Sequence, residues 1–162
     1  MPLLVPSAAL RRRLPVALAP KRHMDIYKKI QKARGSCIAG IKESKVRSVE
    51  AAAELFGLSN ESGIYEEIGR AEAIEVLRNV LHKDMAYSVK IMSSEKAKNL
   101  AAEFVCNFGD EAKFYTNGEY GKPRKNPNFG PSWSPATEAT FDTGVIVINK
   151  EVVGCAWFAD ED

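Results

Sequence analysis

The sequence predicts an α+β fold: N-terminal helices followed by a mostly antiparallel sheet of about four strands, with one covering helix and a C-terminal β-hairpin. Three observations predict it. Residues 143–148 and 152–158 are dense in Val, Ile, Trp and Phe and are separated by Asn149-Lys150-Glu151, the pattern of two strands joined by a tight turn. Upstream, apolar residues recur three and four apart in several segments, the period of helices with one buried face. A chain of 162 residues that is 45% hydrophobic and 27% charged is the length and composition of one domain able to bury a core without disulfide or metal staples.

Taken in order, residues 1–23 differ from the rest in kind. They hold four prolines and an arginine cluster, with no acid. An acid-free, arginine-bearing leader has the composition of an organelle transit peptide, but the segment is read here as a poorly ordered basic tail. Structure is expected to start at Met24, and residues 24–162 form a single globular domain. Residues 25–34 carry Ile26, Tyr27, Ile30 and Ala33 at helical spacing, with Asp25 as a cap and Gly35 as a stop. Residues 35–40 are short and apolar and fit either a strand or a linker.

A helix is predicted over 45–56 from Val46, Val49, Ala52, Ala53 and Phe56, started by Ser44 and closed by Gly57. A second, the longest, is predicted over 64–82 from Ile64, Ile68, Ala71, Ile74, Leu77, Val80 and Leu81. Residues 85–92 alternate, with Met85, Tyr87, Val89 and Ile91 on one face, which reads as a half-buried strand. Ser93 or Ser94 then caps a helix reaching Phe108, with Leu100, Ala101, Phe104, Val105 and Phe108 as its buried stripe. A short strand over 112–116 follows. After the turn signal Asn117-Gly118 the chain is irregular to about Thr137, with prolines at 123, 127, 131 and 135 that forbid a regular helix. So long a loop in a small domain is more often functional than not.

Several function classes are excluded or made remote by composition. No apolar run approaches the roughly 20 residues of a membrane-spanning helix, so no membrane association is expected. The three cysteines, Cys37, Cys106 and Cys155, are scattered and accompanied by only His23 and His82; buried free thiols in a reducing cytoplasm are the expectation, with no metal. The net charge of +2 includes +5 from residues 1–23, which leaves the body at −3 and without the basic footprint of a general nucleic-acid binder. No phosphate loop, metal helix or nucleophile elbow occurs, so no cofactor is implied.

Two short motifs invite comparison. Phe141-Asp142-Thr143-Gly144 resembles the apolar-Asp-Thr-Gly signature of the aspartic proteases, in which the aspartate is one of two carboxylates that activate water. The chain departs from that pattern at Val145, where the family carries a small residue, and too little sequence follows to supply the strands that position such an aspartate. Asp142 and Gly144 are read instead as shaping the start of a strand. Residues 49–68 resemble the helix-turn-helix of bacterial regulators, with Ala53 four before Gly57. The first apolar residue of the second helix, Ile64, falls one place late, and Glu66, Glu67 and Glu72 would face phosphates. A helical hairpin is the plainer reading.

The working surfaces expected from sequence are therefore the long loop and the acidic end. Tyr120, Lys122, Arg124, Lys125, Phe129 and Trp133 interleave aromatics with bases, a mixture that suits a protein interface or single-stranded nucleic acid. Asp160, Glu161 and Asp162 follow Trp157 and Phe158 and could occupy a basic cleft on a partner. These residues predict a soluble, cytoplasmic, non-catalytic binding protein of inhibitor or adaptor type with a protein partner. A nucleic-acid binder, through the 49–68 segment or the basic loop, is the alternative; an enzyme using a carboxylate near Asp142 is a third. Oligomeric state is not fixed by sequence.

Overall fold

The structure, a computed structural model, describes residues 22–35, 37–120 and 124–162. The basic tail lies outside the described residues except for Arg22 and His23, which open the first helix. In chain order the elements are α1 (Arg22–Arg34), β1 (Cys37–Glu43), α2 (Val49–Glu54), β2 (Glu66–Ile68), α3 (Arg70–His82), α4 (Ser94–Cys106), β3 (Lys113–Thr116), β4 (Phe141–Ile148) and β5 (Val152–Asp160).

The α+β class holds, as does the C-terminal hairpin. The strands form one sheet in the order β1-β5-β4-β3-β2, and every pairing is antiparallel. Five strands are present where about four were expected, and helices and strands are interleaved instead of helices coming first. The expected single covering helix becomes three on one face: α1, α3 and α4 pack on Val145, Val147, Ala156 and Phe158. On the other face α2 contributes Val49, Ala52 and Ala53 against Ile146, Ile148, Val153, Cys155 and Trp157. Burial on both faces is why the hairpin strands read as unbroken apolar runs instead of alternating ones.

Local chemistry sets the element ends. Ser93 Oγ accepts the Lys96 amide at 3.2 Å and starts α4. Its C-terminal carbonyls are met by a residue remote in sequence: the Arg70 guanidinium donates to Val105, Phe108 and Gly109 oxygens at 3.1, 3.0 and 2.7 Å. Gly35 and Gly57 adopt φ of +83° and +74°, the left-handed stops anticipated after α1 and α2.

Of residues 35–40, which fit either a strand or a linker in sequence, 37–40 belong to β1. Three expectations are corrected. The helix expected over 45–56 is only Val49–Glu54, capped by Ser48, whose Oγ accepts Ala51 N at 3.2 Å, and not by Ser44. The helix expected from Ile64 begins at Arg70, because Ile68 is drawn into the sheet opposite Phe114 and Gly69 is the N-cap. Residues 85–92 form no strand. The Met85 amide is drawn to the Asp160 carboxylate at 2.8 Å, and the segment closes on itself through the Lys83–Lys90 bridge instead of joining the sheet. Cys155 is buried as expected and Cys37 half-buried, but Cys106 is exposed. Among the described residues no helix is long and apolar enough to cross a membrane.

Candidate functional site

The site is built at the open end of the β4–β5 hairpin, where Phe141 stands opposite Asp160 and Asp142 opposite Ala159. Two aspartates at this end each hold down one loop. Asp142 is fully buried. Its Oδ1 accepts Ala136 N at 3.0 Å, Trp157 Nε1 at 3.0 Å and Asn117 Nδ2 at 3.1 Å. Its Oδ2 accepts Thr137 Oγ1 at 3.1 Å, with Ala136 N and Thr137 N at 3.2 and 3.3 Å. All five donor groups are neutral, so hydrogen bonds alone compensate the buried carboxylate. Gly144 belongs to the same construction: a Cβ there would lie 2.1 Å from Ala156 O and 2.6 Å from Trp157 Cα. A bare glycine lets the Trp157 indole lie across β4 and reach Asp142.

These bonds fix the base of the 117–137 loop. Asn117 is buried; its amide donates to Ser134 O at 2.8 Å and its Oδ1 accepts Thr143 Oγ1 at 2.7 Å. Glu119 N donates to Ser132 O and Ser134 N to Asn117 O, both at 2.8 Å, around an isolated bridge between Gly118 and Trp133. Gly118, which reads in sequence as a turn residue, is needed for this close approach, because a Cβ would sit 2.4 Å from Ser132 O. The Glu119 carboxylate accepts Ser132 N at 2.9 Å and Lys125 N at 3.2 Å, and those amides hold its carboxyl below the ordinary glutamate range. Trp133 completes the base, with ring centroids 5.4 Å from Phe141 and 5.8 Å from Tyr120. Above it, residues 124–130 are exposed, Phe129 at 69%.

The second loop, 83–90, rests on the other aspartate. Asp160 Oδ2 accepts Arg34 Nη2 at 2.5 Å and Met85 N at 2.8 Å, while Arg34 Nε donates to Val80 O at 2.8 Å. The ion pair is nearly sealed, with side-chain exposures of 5% and 12%. Asp84 N donates to Val89 O at 3.0 Å and Asp84 Oδ1 accepts Tyr87 N at 2.6 Å. At the tip Ser88 takes φ +56°, unusual for a residue with a Cβ, and its neighbours Tyr87 and Val89 are 68% and 58% exposed.

Between the loops lies a cleft of about 700 Å³, floored by Tyr120, Trp133 and Phe141 and walled by Met85 and Ser88 on one side and Arg124 and Pro131 on the other. Burial, then the charges of Asp160 and Asp142, push the Tyr120 phenol up to about 12, so the floor is uncharged near neutral pH. Bases and acids in the lining balance: Arg78, Lys83 and Arg124 against Glu75, Asp84 and Glu119. Glu75 and Arg78 neutralise one another at 2.7 Å, and His82 at the back holds Met92 O through Nδ1 at 2.7 Å.

The structure thus gathers Tyr120, Arg124 and Trp133 at one cleft and sets Lys125 and Phe129 on the exposed tip beside it. Lys122 lies outside the described residues. The acidic end is divided. Asp160 turns inward to Arg34, whereas Glu161 and Asp162 are exposed and are bonded to Thr140 Oγ1 at 2.6 and 3.4 Å, one residue before Phe141. Tyr87 and Val89 were missed, because alternation assigned them to a buried strand face.

The other two sequence motifs change meaning. Asp142 lines neither this cleft nor the smaller one at Gly63 and Ser134. With no exposure and both oxygens saturated, it has no way to meet a substrate. Residues 55–69, including β2, separate the six-residue α2 from α3, so the two-helix geometry of a helix-turn-helix is not formed. Among the described residues no group of three or more His, Cys, Asp or Glu side chains is placed to hold a metal ion. No family model, no curated protein and no solved structure matches this chain, so its site stands on its own chemistry.

Proposed function

We propose that the chain is a non-catalytic binding protein of inhibitor or adaptor type that grips a protein partner between the 83–90 and 117–137 loops. One observation carries the reading: of the four large hydrophobic residues exposed among the described residues, Ile38, Tyr87, Val89 and Phe129, three stand on the two loops that wall one aromatic-floored cleft. Scattered single hydrophobics need no explanation, but a group of them around a concave surface marks an interface. Both loops are pinned at their bases, so little order is lost on binding. The exposed acids Glu161 and Asp162, bonded to Thr140 next to Phe141, are assigned to the same binding surface.

The experiment is capture of a stoichiometric partner from native extract by wild type and by the double variant Tyr87→Ser, Phe129→Ser. Both side chains are mostly in solvent, so stability is expected to change by no more than about 0.5 kcal/mol, while affinity falls at least tenfold, about 1.4 kcal/mol. Retention of the partner by the double variant contradicts the proposal. The tip itself, with Arg124 and Lys125 flanking exposed Phe129, supports single-stranded nucleic acid as the second reading. That reading requires a gel shift that weakens steeply with added salt.

A further inference from the structure

Hydrogen-bond parity along the sheet identifies a second surface, unrelated to the cleft. In an antiparallel ladder alternate residues of a strand bond to one neighbour and the rest point the other way. Asn149 N donates to Val152 O at 2.9 Å and Ser44 N to Glu151 O at 2.9 Å. With the observed registers, β5 therefore spends its even-numbered residues on β4 and its odd ones on β1. It follows that Ile38, Gly40 and Lys42 bond inward to β5, while Cys37, Ala39, Ile41 and Glu43 direct N–H and C=O outward from the sheet. Of those outward groups, the Ala39 carbonyl receives Gln31 Nε2 at a long 3.4 Å. No other hydrogen bond within the described residues engages them.

The two edges of the sheet are treated differently. The β2 edge is three residues long and carries exposed Glu66 and Glu67, two of the devices that keep an edge from pairing with another chain. The β1 edge is seven residues long, and its first five, Cys37-Ile38-Ala39-Gly40-Ile41, hold no charge, no proline and no bulge. Ile38 is 37% exposed.

We infer that β1 pairs antiparallel with β1 of a second copy, joining two sheets into one of ten strands about a two-fold axis at Gly40. One register alone uses all four outward residues of both strands: Cys37 opposite Glu43, Ala39 opposite Ile41 and the reverse. That register also sets the two charged residues, Lys42 and Glu43, opposite the uncharged Ile38 and Cys37 of the second copy, so like charges never meet. A shift of two residues either way leaves one outward residue of each strand unpaired. The contact is isologous and closes as a dimer, with Gln31, long and exposed, swinging aside.

Two measurements on the full-length chain test this. In sedimentation from micromolar to millimolar concentration the mass of the wild type doubles. Ala39→Pro, which removes an outward N–H and none of the bonds to β5, weakens that association at least about tenfold with its unfolding midpoint kept. In amide exchange of concentrated wild type, Ala39, Ile41 and Glu43 become as protected as Ile38, Gly40 and Lys42, and on dilution only the odd set becomes fast. Where Ala39→Pro does not fold, the exchange pattern decides alone. A mass that stays monomeric at every concentration overturns the dimer. So do odd amides that remain fast in concentrated samples, or that are protected in a sample shown to be monomeric.

Discussion

The two loops around the cleft are held by aspartates from the same end of one hairpin, yet by opposite chemistry. Asp160 holds the 83–90 loop with one cation and one amide, Arg34 and Met85 N. Asp142 holds the 117–137 loop with five neutral donors and no cation. An ion pair gathers its strength in a single contact and leaves a stranded charge when either member is lost. A carboxylate shared among many neutral donors ties several chain segments to one point, and its removal strands them all together. The difference suits the loops: 83–90 is short and closes on itself through Lys83 and Lys90, whereas 117–137 is long and must be gathered from Asn117, Ala136, Thr137 and Trp157 at once.

The largest effect that would sharpen this contrast is at Asp142. Asp142→Ala leaves Ala136 N, Trp157 Nε1 and the Asn117 amide buried without an acceptor, and is expected to lower stability by about 3–5 kcal/mol. Chemical denaturation measures it, and a loss below about 1 kcal/mol would mean that water replaces the carboxylate and that the shell is not its own. Next comes the ion pair. Arg34→Met and Asp160→Asn are each expected to cost about 2–3 kcal/mol, and the double variant less than the sum of the two, because no charge is then left alone. Additive costs would show that Arg34 acts through Val80 O and the Phe158 ring, 5.7 Å away, instead of through Asp160. Thr137→Val, which removes one of five donor groups at Asp142, should cost only about 1 kcal/mol.

What the sequence disclosed and what it hid follow the same divide between local and distant causes. The hairpin, the Ser93 cap and the stripe from Leu100 to Phe108 depend on neighbours within a few positions, and all are where the residue pattern puts them. Ile64 and Ile68 misled because they continue the helical period of α3, and a three-residue strand is too short to show a period of its own. Tyr87 and Val89 alternate like a strand, but alternation carries no information about whether a segment joins the sheet or closes on itself. Asp160 reads in sequence as one of three acids offered to a partner protein; the cation it meets lies 126 residues earlier in its own chain. Part of the candidate site was legible, namely the aromatic and basic composition of the 117–137 loop. Its opposite wall was not, because nothing local in 83–90 says that Asp160 lies beneath it.

The gentlest perturbation acts within the 117–137 loop alone. The Glu119 carboxyl is held below its usual range by the Ser132 and Lys125 amides, so the folded state binds its proton more weakly than the unfolded chain. Its contribution is present above the ordinary glutamate value of about 4.3 and is lost as pH falls through the lower folded value. Acidification should therefore loosen the staple that joins residues 119, 125 and 132. The Ser132 and Lys125 amide resonances are expected to move together, with a midpoint under the ordinary glutamate value, and to stop moving in Glu119→Gln. A midpoint at or above that value would mean that Glu119 faces solvent, and the loop would then owe its shape to Asp142 alone.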